Sequence, residues 1–347
     1  NISRVTKRDV LIADDFKKFI ADTNPDLTED EVTQIYDNVR LVGAESDFAT
    51  LHKVYGWMVN GVQFTPQDRL PRMIPLIEFD NWDKNIFRVV NQFTVEYTNN
   101  GQKENRRADV LLFVNGIPLC VIELKNPADA NATIYDAWEQ INIRYWRDIP
   151  HLLHYCPLAC ISDGVKTRLG TVRTPYEHFY AWRRVNEGDV VSTLPFAETE
   201  TMIKGIYTPE RFVEIFRDYI YFQDSIYDCD EVEIVCRYPQ FFAAKLLKQS
   251  IVNSVVTRSG KGGTYFGATG CGKTYTMAFL ARQLALRCTD IPEIGSPTII
   301  LIVDRDELQK QGSKLFTKSK EFLNLGEVSV VKNRTQLRQE LGARQSG

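Results

Sequence analysis

The 347-residue chain lacks several features that define whole classes of protein. It has no run of 18 apolar residues, so we expect no membrane-spanning helix. No secretory signal pattern opens it. Its seven cysteines form no Cys-x-x-Cys pair, which is typical of reduced thiols rather than of a disulfide framework or a zinc finger. These absences predict a cytoplasmic protein.

The sequence also lacks an excess of positive charge. Lysine and arginine number 42 against 45 aspartate and glutamate residues, and the formal net charge is −3. A protein that coats DNA presents a broadly basic surface, because it neutralises many phosphates. The charge balance argues against that class, and any basic surface that meets nucleic acid must be local. The length and the 44% of hydrophobic residues suit two domains with sizeable cores.

The sequence pattern of residues 1–190 predicts an α/β domain. Helical patterns occupy residues 1–60 and give way to β-branched, apolar strands between residues 86 and 125. The pair Asn115-Gly116 lies between two of these strands and predicts a tight hairpin turn. A further helix is predicted at 132–146, followed by strands at 158–161 and 167–172.

The remaining sequence predicts a connector over residues 191–235, with one helix at 209–222, and a second domain over residues 236–347. The second domain alternates helices with short apolar strands, which is typical of a parallel sheet. Its strands are expected at 263–266 and 298–303, and its helices at 240–255, 273–287 and 305–318.

A phosphate-binding loop is the most distinctive motif of the second domain. Residues 267–274 match GxxxxGK[ST] in full, between a predicted strand and a predicted helix. Glycines allow backbone N–H groups to approach the phosphates of ATP, the lysine reaches the β- and γ-phosphates, and the threonine ligates Mg²⁺. A glycine-rich turn that matches by chance is the alternative. The ATP-binding candidates are Gly267, Gly270, Gly272, Lys273 and Thr274.

A second candidate site consists of Asp109, Glu123 and Lys125. In a hairpin of the two apolar strands, Asp109 begins one strand and Glu123 ends the other. Glu123 and Lys125 share a face, because they are two residues apart on a strand. Metal-dependent DNA cleavage needs carboxylates to hold Mg²⁺ and a lysine or base to handle the attacking water. A surface ion pair at a sheet edge is the alternative, and the pattern alone leaves both open.

The sequence around both motifs resembles the restriction (motor) subunit of type I restriction-modification enzymes. The similar segments follow in the order of that family between residues 40 and 320 or thereabouts. Members join an N-terminal PD-(D/E)xK nuclease to a superfamily 2 helicase-like motor. The segments include Leu76-Ile-Glu-Phe-Asp80, Arg106-Arg-Ala-Asp109, Phe113-Val-Asn-Gly116, Val121-Ile-Glu123-Leu-Lys125 and Arg237-Tyr-Pro-Gln240.

The resemblance implies an ATP-dependent type I site-specific deoxyribonuclease of a bacterium or archaeon. Asp109 and Glu123 would ligate Mg²⁺, Lys125 would position the attacking water, and Gln240 would contact adenine. The motor would translocate duplex DNA, and unmodified DNA would be cut when translocation stalls. The partners implied are duplex DNA and separate methyltransferase and specificity subunits, with no membrane. The implied fold is a PD-(D/E)xK restriction-endonuclease-like domain followed by a partial RecA-like parallel-sheet lobe.

The sequence departs from the family's pattern in several places. The family usually places a Gln four residues before a Tyr on the helix after the nuclease strands, whereas Gln140 and Tyr145 are five apart and need not share a face. Ala108 stands where Pro is common. Asp304 fits a Walker B acid by pattern but falls in motif Ia by resemblance. The chain ends at Gly347, before the family's Walker B motif and second lobe, so we expect an N-terminal fragment that binds ATP without turnover or translocation.

Two other functions fit parts of the sequence. One is an ATP-dependent DNA helicase or remodeller whose nuclease-like domain serves only for docking. The other is a regulatory P-loop ATPase with no role on DNA. Substitution of Asp109 and Lys125 distinguishes the first from a nuclease, and salt-dependent binding to duplex DNA distinguishes the second.

Overall fold

A computed structural model describes two compact units of the chain. It covers residues 4, 6–43, 46–128, 133–192, 194, 196–223, 232–303, 306–323 and 328–343. The first unit comprises Asn1–Ile220 with Val232–Tyr238, and the second comprises Tyr221–Glu231 with Pro239–Gly347. Within these described ranges, no helix combines the length and the apolar character needed to cross a lipid bilayer.

Three helices and a small two-stranded sheet open the first unit. Thr28 caps the second helix, because its hydroxyl accepts from Glu31 N at 3.2 Å while the Glu31 carboxylate accepts from Thr28 N at 2.8 Å. The two short strands pair antiparallel. The elements are α1 (Ala13–Thr23), α2 (Glu29–Arg40), α3 (Asp47–Asn60), β1 (Val62–Phe64) and β2 (Arg72–Ile74).

A five-stranded mixed sheet forms the centre of the first unit. Its strands lie in chain order, and all neighbours are antiparallel except the third and fourth, which are parallel. The predicted strands and the hairpin turn at Asn115-Gly116 are confirmed. The strands are β3 (Phe87–Asn99), β4 (Gln102–Val114), β5 (Ile117–Leu124), β6 (Leu158–Ser162) and β7 (Thr167–Thr171).

The parallel pair β5 and β6 is the most deeply buried part of the sheet. Six of the eight residues of β5 and all five of β6 are buried. Burial on both faces explains why these strands are continuous apolar runs rather than alternating ones. The register pairs Glu123 with Ile161, and the bond from Lys125 N to Ser162 O at 2.8 Å extends the pairing beyond the strand end. Glu123 and Lys125 are therefore fixed by the central strand.

A helix with an irregular middle crosses the sheet after β5. It begins as α4 (Ile134–Glu139), widens into a π-helical segment over Gln140–Tyr145, and ends as α5 (Trp146–Asp148). The helix α4 packs against β5 and β6. A short helix, α6 (Pro150–Leu153), then leads into β6.

The hairpin turn after β4 holds the first helix against the sheet. Ile12 N donates to Gly116 O at 2.8 Å, at the residue preceding α1. On the same helix, the buried carboxylate of Asp15 accepts from Arg88 Nη2 at 2.7 Å, which ties α1 to β3. These contacts join α1 to β3 and to the turn between β4 and β5, the two strands that carry the candidate site.

The segment predicted as a connector contains regular structure. Its helices α7 and α8 lie in the first unit and pack against each other, and α7 also packs against β7. The elements are α7 (Ala197–Ile206), α8 (Pro209–Asp218), β8 (Ile220–Phe222) and β9 (Glu233–Val235).

From Pro239 onward, the regular elements of the second unit in its described residues are all helices. The strands predicted at 263–266 and 298–303 are not formed, so the predicted parallel-sheet lobe is not seen there. A strand of a parallel sheet needs hydrogen-bonded neighbours, and without them apolar side chains stay in solvent: Phe266 is 93% and Ile302 87% exposed. The helices are α9 (Tyr238–Thr257), α10 (Lys273–Leu286), α11 (Asp306–Thr317), α12 (Lys320–Leu323) and α13 (Arg334–Ala343).

Candidate active site and nucleotide-binding loop

Asp109 and Glu123 meet on neighbouring strands of the central sheet. The pairing of Val110 with Ile122 brings the two acids together, one on β4 and one on β5. Leu124 N donates to Asp109 Oδ2 at 2.9 Å, and Asp109 N lies 3.4 Å from Glu123 Oε1. The hairpin predicted from the sequence therefore places the two carboxylates side by side.

The Glu123 carboxylate is fully buried and held at both oxygens. Tyr145 OH donates to Oε1 at 2.6 Å, and Gln140 Nε2 donates to Oε2 at 2.7 Å. Loss of solvation raises the pKa of Glu123 to about 8; the hydrogen bond from Tyr145 opposes this rise and the charge of Asp109 adds to it. Because burial makes the negative charge of Glu123 unfavourable, a cation bound nearby would stabilise the charged carboxylate.

Gln140 bridges the glutamate and the lysine of the predicted site. Lys125 Nζ donates to Gln140 Oε1 at 2.7 Å, while the amide nitrogen of Gln140 faces Glu123. Because a lysine ammonium only donates, its contact requires the amide oxygen of Gln140 and leaves the amide nitrogen facing Glu123. The three predicted residues Asp109, Glu123 and Lys125 thus belong to one hydrogen-bonded cluster.

The π-helical segment brings Gln140 and Tyr145 onto one side. In a regular α-helix, residues five apart are rotated by about 140° from each other. In the wider π-helix they stack, and Gln140 Nε2 donates to Tyr145 OH at 2.9 Å. The sequence left the role of this pair open, and the spacing of five is compatible with a shared face only because of the local widening.

Gln92 is a member of the site that sequence analysis missed. Its side-chain nitrogen lies 3.4 Å from Asp109 Oδ1. Gln92 has a φ of 54°, in the left-handed region, although it lies within β3, between the residues that pair with Val110 and Ala108 on either side of Asp109. The β-branched and aromatic pattern of this strand carries no signal for such a kink, so this position could not be found from composition or periodicity.

The donor set of the site fits Mg²⁺. Among the residues that the structure describes, no three His, Cys, Asp or Glu side chains cluster as a metal cage. Magnesium is commonly held by one or two carboxylates, with waters and substrate phosphates completing its shell. Asp109 and Glu123 supply two carboxylates, and the buried charge of Glu123 is the kind that a divalent cation stabilises.

The phosphate-binding loop leads directly into α10. Gly272 adopts a φ of 82° and precedes Lys273, the first residue of the helix. Lys273 Nζ donates to the carbonyls of Gly267 and Ala268, both at 2.9 Å. The ammonium therefore lies over the loop whose backbone is predicted to hold phosphates, and Thr274 lies in the first helical turn.

Gln240 lies against this loop in the second unit. Its side chain is buried, and Nε2 donates to Gly272 O at 3.1 Å. This contact orients the loop, while the predicted contact with adenine remains a prediction. Asp304, the other acid named from the sequence, lies outside the described residues.

Comparison with protein families identifies the first part of the chain. The family model for the type I restriction enzyme R protein N terminus matches residues 1–178, slightly more than half of the chain. The chain belongs to this family. Asp109, Glu123, Gln140 and Tyr145 all lie within the matched R-protein region.

Curated relatives of this R-protein family match over most of the chain. The putative type I restriction enzyme MjaIXP endonuclease subunit of Methanocaldococcus jannaschii is 29% identical over 90% of this chain and 31% of its own length. The type I restriction enzyme HindI endonuclease subunit of Haemophilus influenzae is 28% identical over 97% of this chain and 32% of its own length. The chain thus spans about a third of the length of these relatives.

The second part of the chain matches a different family. The SWI2/SNF2 ATPase model covers residues 239–347. That range contains the phosphate-binding loop and Gln240. An R-protein N-terminal region is therefore followed by sequence similar to an ATPase.

Proposed function

We propose that the chain provides the DNA-cleaving site and part of the ATP-driven motor of a type I restriction enzyme. In the assembled enzyme it would cut unmodified duplex DNA after translocation, together with methyltransferase and specificity subunits. The observation that carries the proposal is the cluster in which Gln140 joins Glu123 to Lys125 beside Asp109. The names of the curated relatives, all endonuclease subunits, support it.

The roles follow from the contacts of each side chain. Asp109 and Glu123 would hold Mg²⁺, which supplies a more acidic water and neutralises charge on the phosphate. Lys125, held by Gln140 at 2.7 Å, would orient the attacking water. The mixed sheet, with its acid–acid–lysine cluster on the neighbouring strands β4 and β5, supports the PD-(D/E)xK fold as part of the proposal.

The second unit would bind ATP with Mg²⁺. Backbone N–H groups at the three loop glycines would contact phosphates, Lys273 would exchange its carbonyl partners for β- and γ-phosphate oxygens, and Thr274 would ligate the metal. Gln240 would contact adenine. The SWI2/SNF2 match supports this use of the loop. The loop ligands are Gly267, Gly270 and Gly272.

The test compares variants of the complete enzyme assembled with its partner subunits. Asp109→Ala and Lys125→Ala should abolish cleavage of unmodified plasmid DNA while leaving ATP hydrolysis at the wild-type rate. The matched control is Arg183→Ala, an exposed residue outside the cluster. Cleavage that survives both changes would reject the nuclease and favour a motor whose first domain only docks.

A further inference from the structure

A basic pocket adjoins the carboxylate cluster. Its volume is about 540 Å³, and Gln140 and Tyr145 form part of its wall. The lining contains no acidic side chain. The residues that line it include four with cationic side chains: Lys7, Arg106, Arg107 and Arg144.

The positive charge of this pocket is only partly balanced. Arg106 pairs with Asp148 at 2.7 Å, but Asp148 also pairs with Arg147 at 2.8 Å. Arg144 pairs with Glu139 at 2.5 Å. Lys7 is 64% exposed and 4.0 Å from the carboxylate of Glu96.

Arg107 is the least compensated of the four cations. It is exposed and pairs with no carboxylate in the part of the chain that the structure describes. A chain with a net charge of −3 thus concentrates cations in a pocket free of acids. Such a concentration is the local basic region that a DNA enzyme of acidic composition requires.

The pocket is continuous with the proposed catalytic site. Gln140 and Tyr145 contact Glu123 at 2.7 and 2.6 Å and also line the pocket. Arg107 and Asp109 are two residues apart on β4, so they share a face at a spacing of about 6.6 Å along the strand. A strand of nucleic acid bound at Asp109 is therefore within reach of Arg107.

The side chains of the pocket suit a phosphodiester. Planar guanidinium groups offer paired N–H donors that match phosphate oxygens. Most contacts in protein–DNA complexes are made to phosphate and sugar, which sets the register of the strand without reading its sequence. Thr94 and Asn105 add neutral hydrogen-bonding groups to the same wall.

We propose that this pocket binds a backbone phosphate of duplex DNA adjacent to the phosphate that reacts, with Arg107 and Arg144 as its main contacts. The inference rests on the proposed nuclease function, because it takes DNA as the substrate. It adds a positioning site that fixes the register of the strand relative to Asp109 and Glu123. Arg107 and Arg144 are positioning residues, since neither contacts the reacting atoms.

The test measures DNA binding by the full chain without cleavage. Fluorescence anisotropy with a fluorescein-labelled duplex in EDTA, over a series of NaCl concentrations, gives the slope of log affinity against log salt. The double variant Arg107→Ala/Arg144→Ala should lower that slope by about 1 and weaken binding about tenfold, because one phosphate contact is lost. The variant Arg107→Lys/Arg144→Lys should keep the wild-type slope. Arg183→Ala should have the slope and the affinity of wild type.

The outcomes separate this inference from the proposed function. An unchanged slope in the double alanine variant, with a wild-type circular dichroism spectrum, overturns the phosphate site even if Asp109→Ala abolishes cleavage. A lowered slope in the double alanine variant supports the phosphate site, whatever the Asp109→Ala variant does. Cleavage by the Asp109→Ala variant would reject the nuclease proposal instead. If inorganic phosphate binds in the pocket but the double alanine variant keeps the wild-type salt slope for DNA, the pocket is a site for free anions. That result would overturn the proposal.

Discussion

The side-chain amide of Gln140 donates to the hydroxyl of Tyr145 over 2.9 Å, although the two residues are five positions apart. The same amide nitrogen is 2.7 Å from Glu123 and the amide oxygen is 2.7 Å from Lys125 Nζ. One side chain thus orients a proposed metal ligand and the proposed lysine together.

Replacement of Gln140 by alanine should impair cleavage more than it impairs folding. The lysine and the glutamate lose their shared partner, and losses of such supporting contacts commonly lower activity or metal affinity by about 10–100-fold. The measurement is cleavage by the assembled enzyme as a function of Mg²⁺ concentration. Gln102→Ala, at an exposed position at the start of β4, is the control. Wild-type cleavage at all Mg²⁺ concentrations would contradict the bridging role.

The charge of Glu123 should make the first unit less stable at high pH in the absence of metal. Its folded pKa of about 8 exceeds its ordinary value of 4.5, so the folded chain binds more protons than the unfolded chain between these values. The free energy of unfolding therefore falls as pH rises through that window. Glu123→Gln removes the loss and should be more stable than wild type at about pH 9 by roughly 3–5 kcal/mol.

The advantage of Glu123→Gln should disappear at low pH. Wild-type Glu123 is then protonated, and both proteins carry a neutral group. Urea unfolding in EDTA, followed by tryptophan fluorescence, measures the difference, because all five tryptophans lie within Asn1–Ile220. Glu187→Gln, at an exposed position of the same unit, is the control and should show no such trend. A difference that does not change with pH would contradict the raised pKa.

Lys273→Ala should weaken ATP binding. Lys273 Nζ already lies against the loop carbonyls of Gly267 and Ala268, so it can reach phosphates held by the same loop. Loss of a charged hydrogen bond costs about 1.5–3 kcal/mol, which corresponds to an affinity about 10–100-fold lower. Equilibrium binding of a fluorescent ATP analogue in Mg²⁺ tests this. Lys261→Ala, an exposed lysine before the loop, should bind normally.

Gly116→Ala should destabilise the first unit far more than Gly101→Ala. Both glycines follow an asparagine in a hairpin turn, with φ of 76° and 79°, so both substitutions carry the same backbone strain. A Cβ at Gly116 would also collide with the carbonyl oxygen of Ile12, whereas one at Gly101 meets nothing within 4 Å.

We expect costs of about 1 kcal/mol at Gly101 and about 3 kcal/mol at Gly116. Urea midpoints followed by tryptophan fluorescence compare the two. Equal costs would show that the contact between this turn and α1 adds nothing.

The nuclease-like cluster was predictable from sequence because its signals are local. The Asn115-Gly116 turn sets a hairpin register, and a two-residue spacing fixes the common face of Glu123 and Lys125. The position of Gln92 was not predictable, since a left-handed residue inside a strand is stabilised by its surroundings rather than by its own propensity. The shared face of Gln140 and Tyr145 could not be predicted for a similar reason, because packing decides whether a helix widens locally into a π-helix.

The strands predicted at 263–266 and 298–303 are the predictions from local pattern that the structure does not confirm. Both segments are apolar enough for a buried strand, and their composition supports the prediction. Strand formation depends on hydrogen-bonded neighbours distant in sequence, and the described residues of the second unit supply none. Local pattern alone therefore does not determine a sheet.

The π-helical segment has a consequence for how this region can diverge. A Gln and a Tyr four residues apart in an α-helix lie on the same side of the helix axis, and so do a Gln and a Tyr five residues apart in a π-helix. Homologous chains that differ by one inserted or deleted residue at this turn can keep the same pair beside the acid. Length variation within the motif and constancy of the chemistry are thus compatible.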